Sequence, residues 1–203
     1  LVKAEGQRYF DEVEAEYERI LESGAHHTIP QVELDRVSAC FVMPPVDVVP
    51  DDAQEKAEQA LLAQAKTDKE FTRWLQQNVT SHQNPGLRVV TLSFKRLGQA
   101  PGDATADQLA TAADLADKFS SGEVRVNHDQ NLVLPWVRID QLAELYQAAK
   151  AAGFARANVH LLTDMIACPG GDYCALANAR SLPIAAAITE RYQDLDELFD
   201  LGE

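Results

Sequence analysis

Apolar residues recur at helical spacing near the start of the chain. Over residues 1 to about 25 they form one stripe, and Gly24 follows as a helix stop. The stripe consists of Phe10, Val13, Tyr17, Ile20 and Leu21. This pattern predicts an amphipathic helix that packs its apolar face against other parts of the protein.

A proline-rich connector separates this helix from the next ones. Residues 43–52 contain three prolines and cannot be helical throughout, because proline lacks the backbone N–H and clashes with the preceding turn. A polar helix is predicted from about 53 to 65. Asp68 is placed to cap another, which carries Phe71 and Trp74.

The pattern changes after the turn at residues 84–86. Thr105 and Gln108 have the spacing of a capping box, Asp140 is placed to cap a later helix, and Gly153 suits that helix's C-terminal stop. The predicted order is strand 87–94, a helix opening at 105, strands 123–127 and 131–137, helix 140–153 and strand 158–162. This βαββαβ order is the split βαβ arrangement, so the predicted fold class is α+β with a ferredoxin-like module.

Composition and charge narrow the classes of function. The 203 residues carry a net charge of −14, which repels nucleic acid and anionic membrane surfaces. No apolar run approaches the length that crosses a bilayer. Three cysteines are too few, and odd in number, for a disulfide-stapled secreted scaffold, so a reducing, cytoplasmic location is predicted. The start at Leu1 without a signal peptide suggests a piece of a longer protein.

The candidate chemistry lies in a loop with two cysteines. Cys168 and Cys174 are separated by five residues that include Pro169, Gly170 and Gly171, and an Ala/Leu-rich helix is predicted to begin just beyond Cys174. Three interpretations compete: two buried thiols, a redox disulfide, or thiolate ligands of an iron–sulfur cluster. The spacing alone does not choose between them, and two thiolates cannot complete a four-cysteine site.

Several stretches resemble the siroheme-dependent sulfite and nitrite reductases. Residues 163–179 are similar to the first cluster motif of that family, and residues 122–134 to the strand motif that precedes it. Residues 101–105 and 194–203 are similar as well. The resemblance covers about residues 70 to 203 and extends only loosely to the helical start.

The resemblance implies cofactors and an activity. The family couples a siroheme to a 4Fe–4S cluster held by a Cys-x5-Cys and a Cys-x3-Cys pair, and reduces sulfite to sulfide or nitrite to ammonia with six electrons. Cys168 and Cys174 match the first pair, whereas the thiolate that bridges cluster and siroheme belongs to the second. The electron donor is a ferredoxin or a flavoprotein.

Four polar residues are candidate siroheme contacts. Siroheme is a polycarboxylate, so Arg125, Asn127, Gln130 and Asn131 are suitable partners through charge-assisted or neutral hydrogen bonds. The alternative is that they form a solvated strand end and a polar hairpin link.

The resemblance also implies a division of the chain. Residues 1–68 correspond to the end of the first siroheme half plus a linker, residues 69–160 to the ferredoxin-like domain, and residues 161–203 to the start of the cluster domain. The second cysteine pair and most anion-binding side chains would lie elsewhere, so the chain alone is expected to be inactive and without cofactor. The alternative is a standalone binding or regulatory module with structural or redox-switch cysteines.

Overall fold

The computed structural model describes residues 2–24, 28–42 and 44–193. Contacts divide the chain into two units, residues 1–44 and residues 45–203. The boundaries expected after residues 68 and 160 therefore remain predictions from the resemblance. No helix in the described ranges is both long and apolar enough to span a bilayer.

The described residues of the first unit form three helices: α1 (Val2–Glu5), α2 (Gln7–Glu22) and α3 (Gln31–Ser38). As predicted, Gly24 lies just beyond α2, with a φ of +69° that glycine adopts without strain. The prediction of a packed stripe is wrong for the described residues, because the stripe's side chains are 39–50% exposed. A unit of so few helices has too little surface to cover this stripe.

The second unit combines five α-helices and four strands among its described residues. Residues 44–50 form a connector without helix or strand. The elements that follow are, in chain order, α4 (Asp51–Ala65), α5 (Lys69–Asn78), β1 (Val79–Ser81), β2 (Leu87–Leu92), α6 (Ala106–Phe119), β3 (Arg125–Val126), β4 (Leu132–Arg138), α7 (Leu142–Ala152) and α8 (Leu182–Tyr192). The antiparallel sheet has the order β1-β2-β4-β3. The α+β, ferredoxin-like fold class is confirmed.

A proline in the central strand β4 is accommodated by an irregularity in the pairing. Arg88 lies opposite Val137 and Val90 opposite Leu134, so the register shifts between them. Pro135 falls within this interval and has no N–H to donate to a ladder. The proline therefore lies where the regular pairing is already interrupted, and its lack of an N–H breaks no regular ladder bond to β2.

The hydrophobic core lies between the sheet and helices α5, α6 and α7. At its centre Phe71, Trp74 and Tyr146 bring their rings within 5.0–6.0 Å of one another. Helix α4 packs on this core through Ala53, Ala57, Leu61 and Ala65. The resemblance places α4 in the first segment, residues 1–68. The structure instead packs it in the second unit, residues 45–203, which is the ferredoxin-like unit.

Local capping follows the sequence at three places and departs from it at one. The carboxylate of Asp68 accepts from the N–H of Phe71, and Thr105 forms the full capping box of α6. Gly153 ends α7 at a φ of +75°. Asp140 does not cap α7, because its carboxylate accepts instead from the guanidinium of Arg138.

The predicted last strand, residues 158–162, is wrong. This stretch turns, and the edge position beside β2 is taken by β1. The buried side chain of Asn158 accepts from the hydroxyl of Ser93 and donates to the backbone and hydroxyl oxygens of Thr163. These bonds fold the chain back on itself, with His160 at a φ of +66°.

Replacing Thr105 by Ala tests the capping box. The N–H of Gln108 loses its acceptor, so the free energy of unfolding should fall by about 1 kcal/mol in urea denaturation. Thr111→Ala in the same helix is the matched control and should change stability by less than about 0.5 kcal/mol. Equal losses in both variants would contradict the capping role.

Candidate functional site

The cysteine loop, residues 165–181, joins the short 3₁₀ turn Leu162–Asp164 to α8. Cys168 and Cys174 are both free and exposed. The interpretation as two buried thiols is therefore wrong. The loop as a whole lies at the surface, because its larger apolar side chains Ile166, Tyr173 and Leu176 are themselves 55–91% exposed.

The cysteine loop is closed on itself by backbone contacts. The N–H of Gly171 donates to the carbonyl of Ala179 over 2.8 Å, and the hydroxyl of Ser181 donates to the carbonyl of Cys168. Gly170 has a φ of +61°, and a Cβ there would lie 2.6 Å from the Ala179 oxygen. Only glycine fits both requirements.

These contacts overturn the predicted helix just beyond Cys174. Residues 174–181 contain turns and bends, and the helix begins only at Leu182. The loop must fold back so that Ala179 and Ser181 reach Gly171 and Cys168, which a helix starting at residue 175 would prevent. The N–H of Cys174 donates to the carbonyl of Gly170 over 2.9 Å, so no helix N-terminus stands at that thiol.

A glutamine from the link between β3 and β4 holds the start of the cysteine loop. The amide nitrogen of Gln130 donates to the carbonyl of Ala167, and the N–H of Ala167 donates to the amide oxygen of Gln130, both over 3.1 Å. Both hydrogen-bonding groups of that backbone residue thus bind one side chain. Ala167 directly precedes Cys168, so the ferredoxin-like unit fixes the chain next to a candidate ligand.

A buried ion pair lies beneath this contact. The ammonium of Lys95 is 3.2 Å from a carboxylate oxygen of Asp164, and both side chains are at most 4% exposed. The same oxygen accepts from the amide of Asn131 over 2.8 Å, and the other accepts from the N–H of His160. Lys95 also donates to the carbonyl of Asp129. The pair therefore connects the end of β2, the β3–β4 link and the turn before the cysteine loop.

Sequence reasoning missed Lys95 and assigned no role to Asp164 or Ser181. Residues 92–95 are all buried, so this stretch has no alternation of buried and exposed positions from which a role for Lys95 could be predicted. Asp164 lies inside the stretch that resembles the cluster motif, which was the one available indication of its importance.

The four candidate siroheme contacts differ in their burial and in their hydrogen-bond partners. Asn131 is 1% exposed. Its amide nitrogen donates to the carboxylate of Asp164, and its amide oxygen accepts from the N–H of Phe94. Asn127 accepts from the N–H of Asn131 and so shapes the link. Arg125 lies on the outer strand β3 with its side chain 57% exposed.

Arg125 belongs to a small polar cluster with Glu123 and Trp136. The carboxylate of Glu123 accepts from the indole of Trp136 and from the guanidinium of Arg125, each over 2.6 Å. The guanidinium also lies 5.7 Å from the centre of the Trp136 ring. The hydrogen bond from Trp136, followed by that from Arg125, holds the pKa of Glu123 below its ordinary value.

A cavity adjoins the cysteine loop. It has a volume of about 260 Å³, and its walls include Gly102, Gln130, Ala167, Pro169 and Tyr173. In the part of the chain that the structure describes, no three His, Cys, Asp or Glu side chains are grouped to hold a metal ion. Cys168 and Cys174 thus offer two sulfur donors and no complete ligand set.

Replacing Asp164 by Asn tests the buried pair. The substitution leaves the Lys95 ammonium buried without a counter-charge, so the free energy of unfolding should fall by about 3–5 kcal/mol in urea denaturation. Glu144→Gln removes the carboxylate of the exposed pair with Lys118 and should cost less than about 1 kcal/mol. A loss at Asp164 no larger than at Glu144 would contradict the network's importance.

The depressed pKa of Glu123 predicts a pH dependence of stability. Its contribution is fully present above about pH 4.5, the ordinary value, and disappears as pH falls through the lower folded-state value. Thermal melting from pH 6 to pH 2 should show a shallower acid-induced loss for Glu123→Gln than for the unsubstituted chain. Parallel curves would show that the cluster does not stabilise the fold.

Comparisons with known proteins find similarity within the second unit. Residues 86–152 match the nitrite/sulfite reductase ferredoxin-like half domain. Over 104 residues the chain is 28% identical to a chloroplastic ferredoxin–nitrite reductase of Oryza sativa subsp. japonica, over 107 residues 31% identical to that of Spinacia oleracea, and over 110 residues 31% identical to the ferredoxin–nitrite reductase of Synechococcus elongatus.

These alignments cover 51%, 51% and 54% of this chain but only 17%, 18% and 21% of the respective relatives. The chain therefore spans about a fifth of the length of the relatives that it matches. The matched half domain contains β2, α6, β3, β4 and α7. Over this stretch the chain is similar to the ferredoxin-like half domain of nitrite and sulfite reductases.

Proposed function

We propose that this chain supplies the second ferredoxin-like half domain and the first cysteine pair of a siroheme and 4Fe–4S reductase. The observation that carries the proposal is the cysteine loop itself, which holds Cys168 and Cys174 as exposed thiols and is tied to the half domain through Gln130. The family match and the relatives' names support it.

The donor chemistry of the loop fits an iron–sulfur cluster in part. Cluster iron takes cysteine thiolates, and two exposed thiols in one loop can provide them without burying a charge. Four thiolates are required, and the described residues group no further donors with these two. We therefore propose that Cys168 and Cys174 hold one side of the cluster and that a Cys-x3-Cys pair outside this chain holds the other.

The ferredoxin-like unit provides one edge of a siroheme site in this proposal. Its cavity of about 260 Å³ is below the common size of small-molecule pockets, about 300–1,000 Å³, so it cannot enclose a tetrapyrrole alone. Arg125 has the exposed cation that a siroheme carboxylate would bind. Asn127, Gln130 and Asn131 contribute by building the link that carries this edge.

When bound, the two cofactors supply electron storage and the iron at which a small oxyanion is reduced by six electrons. The chain's own residues hold the cysteine loop, shape the cofactor edge and offer Arg125. Nitrite as substrate and ferredoxin as donor are the first choice to test, because the relatives are named ferredoxin–nitrite reductases. Sulfite and a flavoprotein are the alternatives. The chain alone, with half of the thiolates, is proposed to be colourless and inactive.

Cysteine substitutions in the longer polypeptide, produced with siroheme synthesis and iron supply, test the proposal. Cys168→Ser and Cys174→Ser should each remove the cluster, because a hydroxyl is a poor ligand for cluster iron. Iron and acid-labile sulfide per chain, together with the electron paramagnetic resonance of the reduced protein, measure this. Cys40→Ser is the matched control and should retain a full cluster.

Two results would overturn the proposal: an unsubstituted polypeptide that remains free of metal, or a full cluster in either loop variant. A further check is the coding sequence beyond Glu203, where a Cys-x3-Cys pair is expected. With the cluster in place, turnover of nitrite against sulfite assigns the substrate.

A redox switch is the second candidate, because two exposed thiols lie in one loop. It requires a disulfide between Cys168 and Cys174. Counting thiols in the 203-residue chain with and without reductant tests this candidate. A loss of two thiols on mild oxidation supports the switch, and an unchanged count contradicts it.

A further inference from the structure

We propose that Gln130 is a positioning residue for Cys168, acting through the backbone of Ala167. This inference rests on the proposed function only in its last step, the ligation of iron by Cys168. It assigns Gln130 a role through the cysteine loop rather than through direct contact with a tetrapyrrole.

The contact between Gln130 and Ala167 has two points and matches donor to acceptor at each. The amide nitrogen donates to the Ala167 carbonyl and the amide oxygen accepts from the Ala167 N–H, both over 3.1 Å. Ala167 is 9% exposed, so water competes poorly for these groups. With both amide functions occupied, Gln130 has its main hydrogen-bonding capacity committed to the loop.

The backbone around Gln130 is built to present this side chain. Gln130 has a φ of +58°, a left-handed conformation that is uncommon for residues with a Cβ. The hydrogen bonds of Asn127 and Asn131 hold the link in that turn. Gly102 leaves the necessary space, since a Cβ there would lie 2.5 Å from the Cβ of Gln130.

The residues beneath the link prevent it from shifting. Asn131 directly follows Gln130, is 1% exposed, and binds the carboxylate of Asp164, which pairs with Lys95. Lys95 also donates to the carbonyl of Asp129, the residue before Gln130. Both neighbours of Gln130 are therefore fixed to the same buried ion pair.

The two cysteines differ in how they are held. Cys168 follows Ala167, whose two hydrogen bonds to Gln130 form a clamp on the backbone. The carbonyl of Cys168 itself accepts from the hydroxyl of Ser181. The N–H of Cys174 bonds to Gly170 within the same loop. The link between β3 and β4 thus positions Cys168 through its neighbour Ala167, and Cys174 only through the rest of the loop. This is the support that a preorganised ligand needs.

The first experiment measures hydrogen exchange in the full 203-residue chain. Gln130→Met keeps the length of the side chain and removes both hydrogen bonds, so the Ala167 amide should exchange about fivefold faster or more. Gln147→Met, at an exposed position of α7, is the matched control and should leave that rate unchanged. The Val90 amide in β2 reports that the fold persists.

Two further variants separate the clamp from a general loss of structure. Gln130→Glu retains an acceptor for the Ala167 N–H and loses the donor, so its effect should lie between those of the unsubstituted chain and Gln130→Met. Gly102→Ala strains the turn at a φ of +75° and pushes on Gln130 while leaving its amide in place, so it should also accelerate exchange at Ala167. An unchanged Ala167 rate in Gln130→Met overturns the proposal.

The second experiment uses the longer polypeptide with its cluster assembled. Gln130→Met should lose iron to a chelator several-fold faster than the unsubstituted protein and Gln147→Met, while binding the same amount of iron at the start. Loss at the unsubstituted rate overturns the positioning role. An unsubstituted protein without any cluster overturns the proposed function instead, and the exchange result at Ala167 then still decides whether the clamp exists.

Discussion

The ion pair between Lys95 and Asp164 is the constraint on which the site depends. Removing two charges from water is costly, and the cost is recovered only when the pair and its remaining hydrogen-bonding groups are all satisfied. Here Asp164 accepts from Lys95, Asn131 and the N–H of His160. These requirements leave one arrangement of the end of β2, the β3–β4 link and the turn before the cysteine loop.

That arrangement explains why a surface loop with three turn-forming residues has a defined position. The cysteine loop leaves its large apolar side chains, such as Tyr173 and Leu176, exposed. Its closure depends on the backbone and hydroxyl contacts of Gly171, Ala179 and Ser181. The half domain adds the clamp at Ala167. A ferredoxin-like fold hosts many functions. The functional feature of this one is a loop with two exposed thiols that Gln130 attaches to the link between β3 and β4.

Local chemistry made most of the fold predictable from the sequence. The capping box at Thr105, the cap at Asp68 and the stop at Gly153 each depend on residues a few positions apart, and each was correct. The failures involve contacts between distant residues. Asn158 turns the chain by binding Ser93, and Ser181 draws the loop back to Cys168, so neither the strand at 158–162 nor the helix after Cys174 forms. The two candidate cluster ligands came from the family resemblance, whereas Lys95 could be found only in the structure.

The most direct test of the account is a crystal structure of the longer polypeptide with its cofactors. We expect the sulfur atoms of Cys168 and Cys174 to bind cluster iron, with the amide of Gln130 on the backbone of Ala167 and the Lys95–Asp164 pair beneath it. A cluster held entirely by other cysteines, with the loop of residues 165–181 turned away from it, would contradict the account.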